Sequence, residues 1–224
     1  MEAVLNLIDR AGAGRSGDRR PPEVTAPVPY AGSDTDVMKL IVGTLIISIA
    51  VGYLAGGRLS NLANLHIRWA PLALIGFVMQ LINPPGHWPL AMLFGSFVLL
   101  SVFAFVNRHV LGFWLILIGV GLNFAVIGLN SGMPVSSQAL AASGQENTIG
   151  QLTNNADSYV KHHLATGDDT ALFLGDVIAL PRPIGQAISV GDIFTYSGVV
   201  VVIVGGMRRR TMAQPAATPE VQGV

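Results

Sequence analysis

The chain has 224 residues, of which 51% are hydrophobic and only 12% charged, against about 25% charged in ordinary soluble domains. Its net charge is zero, so no bulk field points to nucleic acid; it has no cysteine, which excludes disulfides and thiolate metal sites. Between Asp36 and Glu146 there is no acid, and the basic residues are Lys39, Arg58, Arg68 and Arg108 alone, a distribution that excludes a soluble domain's charged surface and suits hydrocarbon, where a central charge costs at least ~2.5 kcal/mol.

Residues 1–37 are rich in Gly, Pro, Arg and acids and carry no periodicity, so they are expected to form a disordered tail. No apolar core closely follows its arginines, so it does not read as a secretory signal. Met38 would make a natural start. The first predicted span is Leu40–Gly57, about 27 Å of helix. Thr44, Ser48, Gly52 and Gly56 recur every four residues on one face. Such a stripe serves close packing inside the chain or, as the alternative, a homodimer seam through Ser48, Gly52 and Gly56.

A basic connector with Arg58, His66 and Arg68 leads to a short second span, Trp69–Ile82, with Pro71 tolerated in its first turn. Asn83–His87 is a tight turn, and Trp88–Val106 the third span. Trp69 and Trp88 suit interfacial anchoring. Asn107-Arg108-His109 is a second basic turn, followed by the fourth span, Leu111–Leu129. Gly119, Asn123 and Asn130 share one face there, which should point into the bundle, because an amide in hydrocarbon needs a partner.

After Asn130 the character changes. Ser131–Ser136 stops the helix, Gln138–Ala142 is a candidate short helix, Glu146–Asp157 is polar, and Tyr159–Leu164 is a second candidate helical piece. Leu172–Asp192 reads LFLGDVIALPRPIGQAISVGD; its apolar pieces are too short to span and alternate with Gly, Asp and Pro, which predicts a re-entrant or surface-packed loop. Ile193–Met207 is the fifth span. Val199–Val204 is wholly β-branched, yet helix is the only way an isolated segment satisfies its backbone in lipid. Arg208, Arg209 and Arg210 end it, and 211–224 read as a Pro/Ala-rich disordered tail.

Five spans place the connectors after spans one and three on the side of the C-terminus. That side holds Arg58, Arg68, Arg108, Arg208, Arg209 and Arg210, against Lys39, Lys161 and Arg182 opposite. Counting the arginines at 10, 15, 19 and 20 of the tail weakens the asymmetry. The positive-inside rule then makes the C-terminus cytoplasmic and the loop 130–192 extracytoplasmic.

The order of pieces resembles a family of bacterial multipass membrane proteins catalogued only as a domain of unknown function. The matching stretches are GGRLSNLANLHIRW, LNFAVIGLNSGMPVS, KHHLATGDDTALFLGDVIALP and SVGDIF, across about Met38–Met207. The resemblance implies a membrane-embedded bacterial protein; it brings no assigned activity and no catalytic residues. A fainter likeness is to the lipoprotein signal peptidases, which place a catalytic Asp in an Asn-Val-Ala-Asp run opening their last membrane helix. Ser189-Val190-Gly191-Asp192 stands in a similar place without the Asn, and an NLIDR pentapeptide like theirs falls in the polar tail, at Asn6–Arg10, where it carries no weight.

Asp176 and Asp192, each directly after a glycine, head the candidate site. Asp192 reads first as a helix N-cap facing the helix dipole. Its alternative is one half of a carboxylate pair with Asp176, acid and base of an aspartyl-type hydrolase. Asp176 also suits a turn or a salt bridge to Arg182. His162 and His163 would diverge by about 100° on a helix and so do not chelate, although Asp157, Asp168 or Asp169 nearby makes a metal site conceivable; solvated loop residues are the simpler reading. Asn123 and Asn130 pack against partners or, under a transporter reading, line a polar path.

The reading is therefore an all-α integral membrane protein of the cytoplasmic membrane: five transmembrane helices in 38–207 and one long, partly re-entrant extracytoplasmic loop. Its expected role is a binding or accessory envelope protein. Asn123, Asn130, Met133, Pro134, His162, Asp176, Arg182 and Asp192 structure the loop or bind a lipid, a small ligand or another envelope protein. Neither a cofactor nor a metal is expected. The alternatives are the Asp176–Asp192 hydrolase and a small-solute transporter.

Overall fold

The computed structural model describes residues 33–82, 88–154 and 161–209, the side chains of 33–37 and 154 excepted. Expectations for the rest of the N-terminal tail, the Asn83–His87 turn, Asp157, Arg210 and the C-terminal tail lie outside those residues. The helices are α1 (Ser33–Leu54), α2 (Ala70–Leu81), α3 (Trp88–Val106), α4 (Gly112–Asn130), α5 (Ser137–Ser143), α6 (Glu146–Asn154) and α7 (Val190–Arg208). A 3-10 turn, Leu59–Asn64, joins α1 to α2.

Among the described residues three helices, α3, α4 and α7, are long and apolar enough to cross a membrane, each with 19 residues. At 1.5 Å per residue that is about 28 Å, against a hydrocarbon core of about 30 Å. The first two expected spans have other bounds. The helix of the first, α1, begins at Ser33 and ends at Leu54 in place of Gly57, because Gly56 turns the backbone into the left-handed region (φ 76°); its apolar part is Met38–Leu54. Trp69 is itself left-handed (φ 57°) and stands outside α2, which keeps 12 residues. The last span is instead longer than expected, because it starts at Val190, not Ile193.

The protein is mostly helical, but the all-α expectation needs a correction. Among its described residues the loop holds four short strands: β1 (Met133–Val135) runs parallel to β2 (His162–Leu164), and β3 (Ile178–Leu180) antiparallel to β4 (Gln186–Ile188). The helical piece expected over Tyr159–Leu164 is thus a strand in its described part. Met133 pairs with His162 and Val135 with Leu164, and Val135 also bridges Asp176 on its other side. Backbone pairing on both sides of β1 outweighs any local preference of so short a segment.

The helices pack in the order α1, α7, α4, α3, α2, so the last helix lies between the first and the fourth. Glycines make the α4–α7 seam. Gly112 and Gly119 on α4 meet Gly198 and Gly191 on α7, and a Cβ on any of the four would collide with the facing backbone. Each pair is seven residues apart, which keeps it on one helix face. Large apolar side chains point outward instead: Ile46, Leu54, Leu74, Val98, Phe105 and Leu129 are exposed, while Ser48 and Ser96 are buried. Small residues inside and large apolar residues outside is the arrangement of helices solvated by lipid. The Ser48–Gly52 stripe packs within the chain, with Gly52 against Met207 of α7; Gly56 faces open space.

The two ends of the row are chemically different. At one, the Arg58 N–H and Asn61 Nδ2 both donate to Met207 O (2.9 and 2.7 Å), and Asn107 clamps Arg68, accepting from its N–H (2.7 Å) and donating to its carbonyl (2.8 Å). Arg58, Arg68, Arg108, Arg208 and Arg209 therefore lie at one end. At the other, Asn130 clamps Thr170 in the same two-bond manner (2.8 and 2.9 Å). Lys161 Nζ donates to the last carbonyls of α2, Gln80 O (2.7 Å) and Ile82 O (3.1 Å), where the helix dipole favours a cation.

Candidate functional site

The site grows from the start of α7. Ser189 is its N-cap and is fully buried. Its Oγ accepts from the Asp192 N–H (3.0 Å), and Asp192 Oδ2 accepts from the Ser189 N–H (3.1 Å), which closes a capping box. Asp192 is thus the third residue of the helix and the cap is Ser189, which corrects the N-cap expectation by one turn. The spacing Ser-x-x-Asp before an apolar run is itself a legible capping-box signature.

Asn123 completes the arrangement from α4. It is buried; its Oδ1 accepts from Ser189 Oγ (2.8 Å), and its Nδ2 donates to Asp192 Oδ1 (2.8 Å). The two helices come close enough for this only because Gly191 has no Cβ, which would overlap the Asn123 amide. Both Asp192 oxygens are therefore engaged, one by a side chain and one by backbone.

Asp176 arrives from the loop. Its N–H donates to Pro134 O (3.0 Å) and its carbonyl accepts from the Ser136 N–H (3.1 Å), so it is fastened to β1 by backbone alone. Gly175 is required here, since a Cβ would strike Pro134 O. Burial, and then the neighbouring Asp192 carboxylate, push the Asp176 carboxyl well above the usual carboxylate range. Among the described residues no hydrogen bond reaches that carboxyl. Tyr196, one turn along α7 from Asp192, lies close to both acids. The salt bridge expected between Asp176 and Arg182 is not formed among the described residues; Arg182 lies over Gly144.

The other expected residues fall into separate roles. Met133 is buried against Val126 and Ile127 of α4 and Leu93 and Phe97 of α3, and Pro134 is fully buried beneath Gly175. Asn130 holds the loop through Thr170, as above. His162 lies in β2, not on a helix; burial, then Lys161, then His163 lower its pKa to about 4. His163 Nε2 meets Asp169 Oδ1 (2.9 Å), and Asp169 Oδ2 accepts from the Thr166 N–H (2.6 Å). Burial alone would raise the Asp169 carboxyl, but the Thr166 and His163 bonds prevail and hold it below the ordinary value. These two histidines stand on opposite faces of a strand, so they do not act together.

Sequence reasoning brought Asp176, Asp192 and Asn123 forward; the fold bonds Asn123 to Asp192, and Asp176 stands near enough to Asp192 to feel its charge. It did not single out Ser189, Tyr196, Asn107 or the latch made by Lys161.

Comparison with known proteins places residues 64–204, from the first connector into α7, within the model of a family described as a "Family of unknown function (DUF5317)". An uncharacterized protein of Thermotoga maritima is 31% identical over 183 residues, covering 80% of this chain and 98% of the relative. No solved structure matches.

Proposed function

Since the chain belongs to the DUF5317 family of unknown function, we propose from its own geometry that it is a membrane-embedded binding or accessory protein. The carrying observation is that the polar loop is latched to three helices: to α2 through Lys161, to α4 through Asn130, and to α4 and α7 through Asn123, Ser189 and Asp192. A loop so fixed is a preorganised surface, which lowers the ordering cost of binding. All five apolar segments lie in the cytoplasmic membrane in this reading, with α1 and α2 completing the row. The arginine-rich end faces the cytoplasm, the loop faces outward, and its ligand is a lipid, a small molecule or an envelope protein.

Two measurements test this. A membrane-impermeant maleimide should label Thr170→Cys in intact cells and Ser60→Cys only after permeabilisation, on the cysteine-free background. Hydrogen exchange in lipid discs should show the amides of Met133, Ser136, Ala165 and Asp176 protected. Reversed labelling overturns the orientation, and rapid exchange overturns the preformed surface.

A second reading is an aspartyl-type hydrolase. Burial, and then the neighbouring Asp192 carboxylate, push the Asp176 carboxyl above the usual carboxylate range, the direction a general acid needs. In complementation of a deletion strain, Asp176→Asn accumulating normally yet failing to complement would move the proposal to catalysis. Transport has no comparable support, because Asn123 spends its amide on Ser189 and Asp192.

A further inference from the structure

At the arginine end, α1 and α7 leave a shallow, open groove of about 520 Å3 between them. Its walls are Val51 of α1 and Val200 and Val204 of α7, and Gly205 forms an open stretch where a Cβ would meet nothing within 4 Å. The groove ends on Arg208 and Arg209, both exposed and without an acidic partner among the described residues. Met207 O, where α7 would otherwise need a donor, is already satisfied by Arg58 and Asn61. The two guanidinium groups are therefore not spent on closing the helix.

An apolar channel that closes on two cations, at the end of a helix long enough to span, matches an amphiphile with an anionic head. We propose that the groove binds an anionic glycerophospholipid, one acyl chain along Val51, Val200 and Val204 and the phosphate on Arg208 and Arg209. Basic residues just beyond a membrane helix recognise anionic lipid headgroups, and the arginine fork fits phosphate oxygens. A second copy of the chain is the weaker occupant. A two-fold contact through this groove would set two Arg208–Arg209 pairs against each other.

The experiment uses the full chain, purified with equal phosphatidylglycerol and phosphatidylcholine of one acyl composition and read by native mass spectrometry. The wild type should retain phosphatidylglycerol in preference. Arg208→Gln with Arg209→Gln should lower that retention by about ten-fold. Gly205→Trp, which fills open space and spares the fold, should abolish it, while Arg58→Gln with Arg108→Gln at the same end should leave it unchanged. Equal retention of the two lipids overturns the proposal, as does an equal loss in the Arg58/Arg108 variant, which would mean a diffuse basic surface. A dimer that Gly205→Trp converts to monomer without loss of lipid overturns it in favour of the second copy. Should the Arg208/Arg209 variant fail to accumulate, the wild-type lipid preference and Gly205→Trp decide alone.

Discussion

At the arginine end Asn107 clamps the backbone of Arg68, and at the loop end Asn130 clamps the backbone of Thr170, each with one donated and one accepted bond. The device is the same: an asparagine near a helix C-terminus offers its amide as a strand edge would and secures a residue at a bend or turn, just before a left-handed residue, Trp69 in one case and Ala171 in the other. The settings differ. Asn107 is fully buried and its connector is short, whereas Asn130 is part-exposed and holds one point of a long loop that also relies on Lys161, the paired β1 and the Ser189 cap. The arginine end has two joints on its connector, Arg58 and Asn61 on Met207 O and the buried Asn107 on Arg68, and the loop end shares its hold among more. The end with fewer joints should fail harder when one is cut.

The largest expected effect tests the seam that both ends depend on. Gly119→Ala drives a Cβ into Gly191 and Thr195, whereas Gly121→Ala on the same helix meets nothing within 4 Å. The first should cost about 3 kcal/mol through overpacking and the second should be neutral or stabilising by about 1 kcal/mol. Melting in detergent, with protein accumulation, checks both. Next, Asp192→Asn turns an amide NH2 toward one of two donors, Asn123 Nδ2 or the Ser189 N–H, and should cost about 2 kcal/mol. Asp176→Asn, whose carboxyl receives no bond among the described residues, should be neutral or slightly stabilising at pH 7.

The asparagine comparison itself comes third. Asn107→Ala should cost about 2 kcal/mol and Asn130→Ala about 1 kcal/mol, read by the same melts. Equal losses would mean that the loop has no reserve.

The smallest effect is a pH slope confined to the loop end. His162 has its pKa lowered to about 4 from 6.5. The unfolded state therefore takes up a proton first, and stability falls as pH drops from 6.5 toward 4. Asp176 is raised, so its contribution has the opposite sign: its cost shrinks as pH falls toward 3.8. His162→Gln should flatten the acid loss of loop protection and Asp176→Asn should steepen it, as read by hydrogen exchange at pH 5 and 7.

Much of the helical part was legible. The absence of acids from 37 to 145 marked the apolar stretch, and α3 runs Trp88–Val106 as its pattern predicts. Asn123 was expected to face the bundle, and it does. The start of α7 was legible too, in Ser189-Val190-Gly191-Asp192, but only to a reader who weighed the serine above the aspartate. The glycine seam was harder, because Gly112, Gly119, Gly191 and Gly198 acquire meaning only when the two helices are known to touch. Strands β1 and β2 were not legible. Three residues carry no periodicity, and Met133 finds Lys161 and His162 across a long intervening chain. The Asp176–Asp192 approach depends on that same pairing, since β1 is what carries Asp176 to the helix end.

The place of α7 between α1 and α4 has a consequence for biosynthesis. Until α7 leaves the ribosome, α1 lacks its principal neighbour and waits apart from the α2–α3–α4 group. A nascent chain halted near residue 185 would then be two loose halves. The helix made after them is the wedge that unites them.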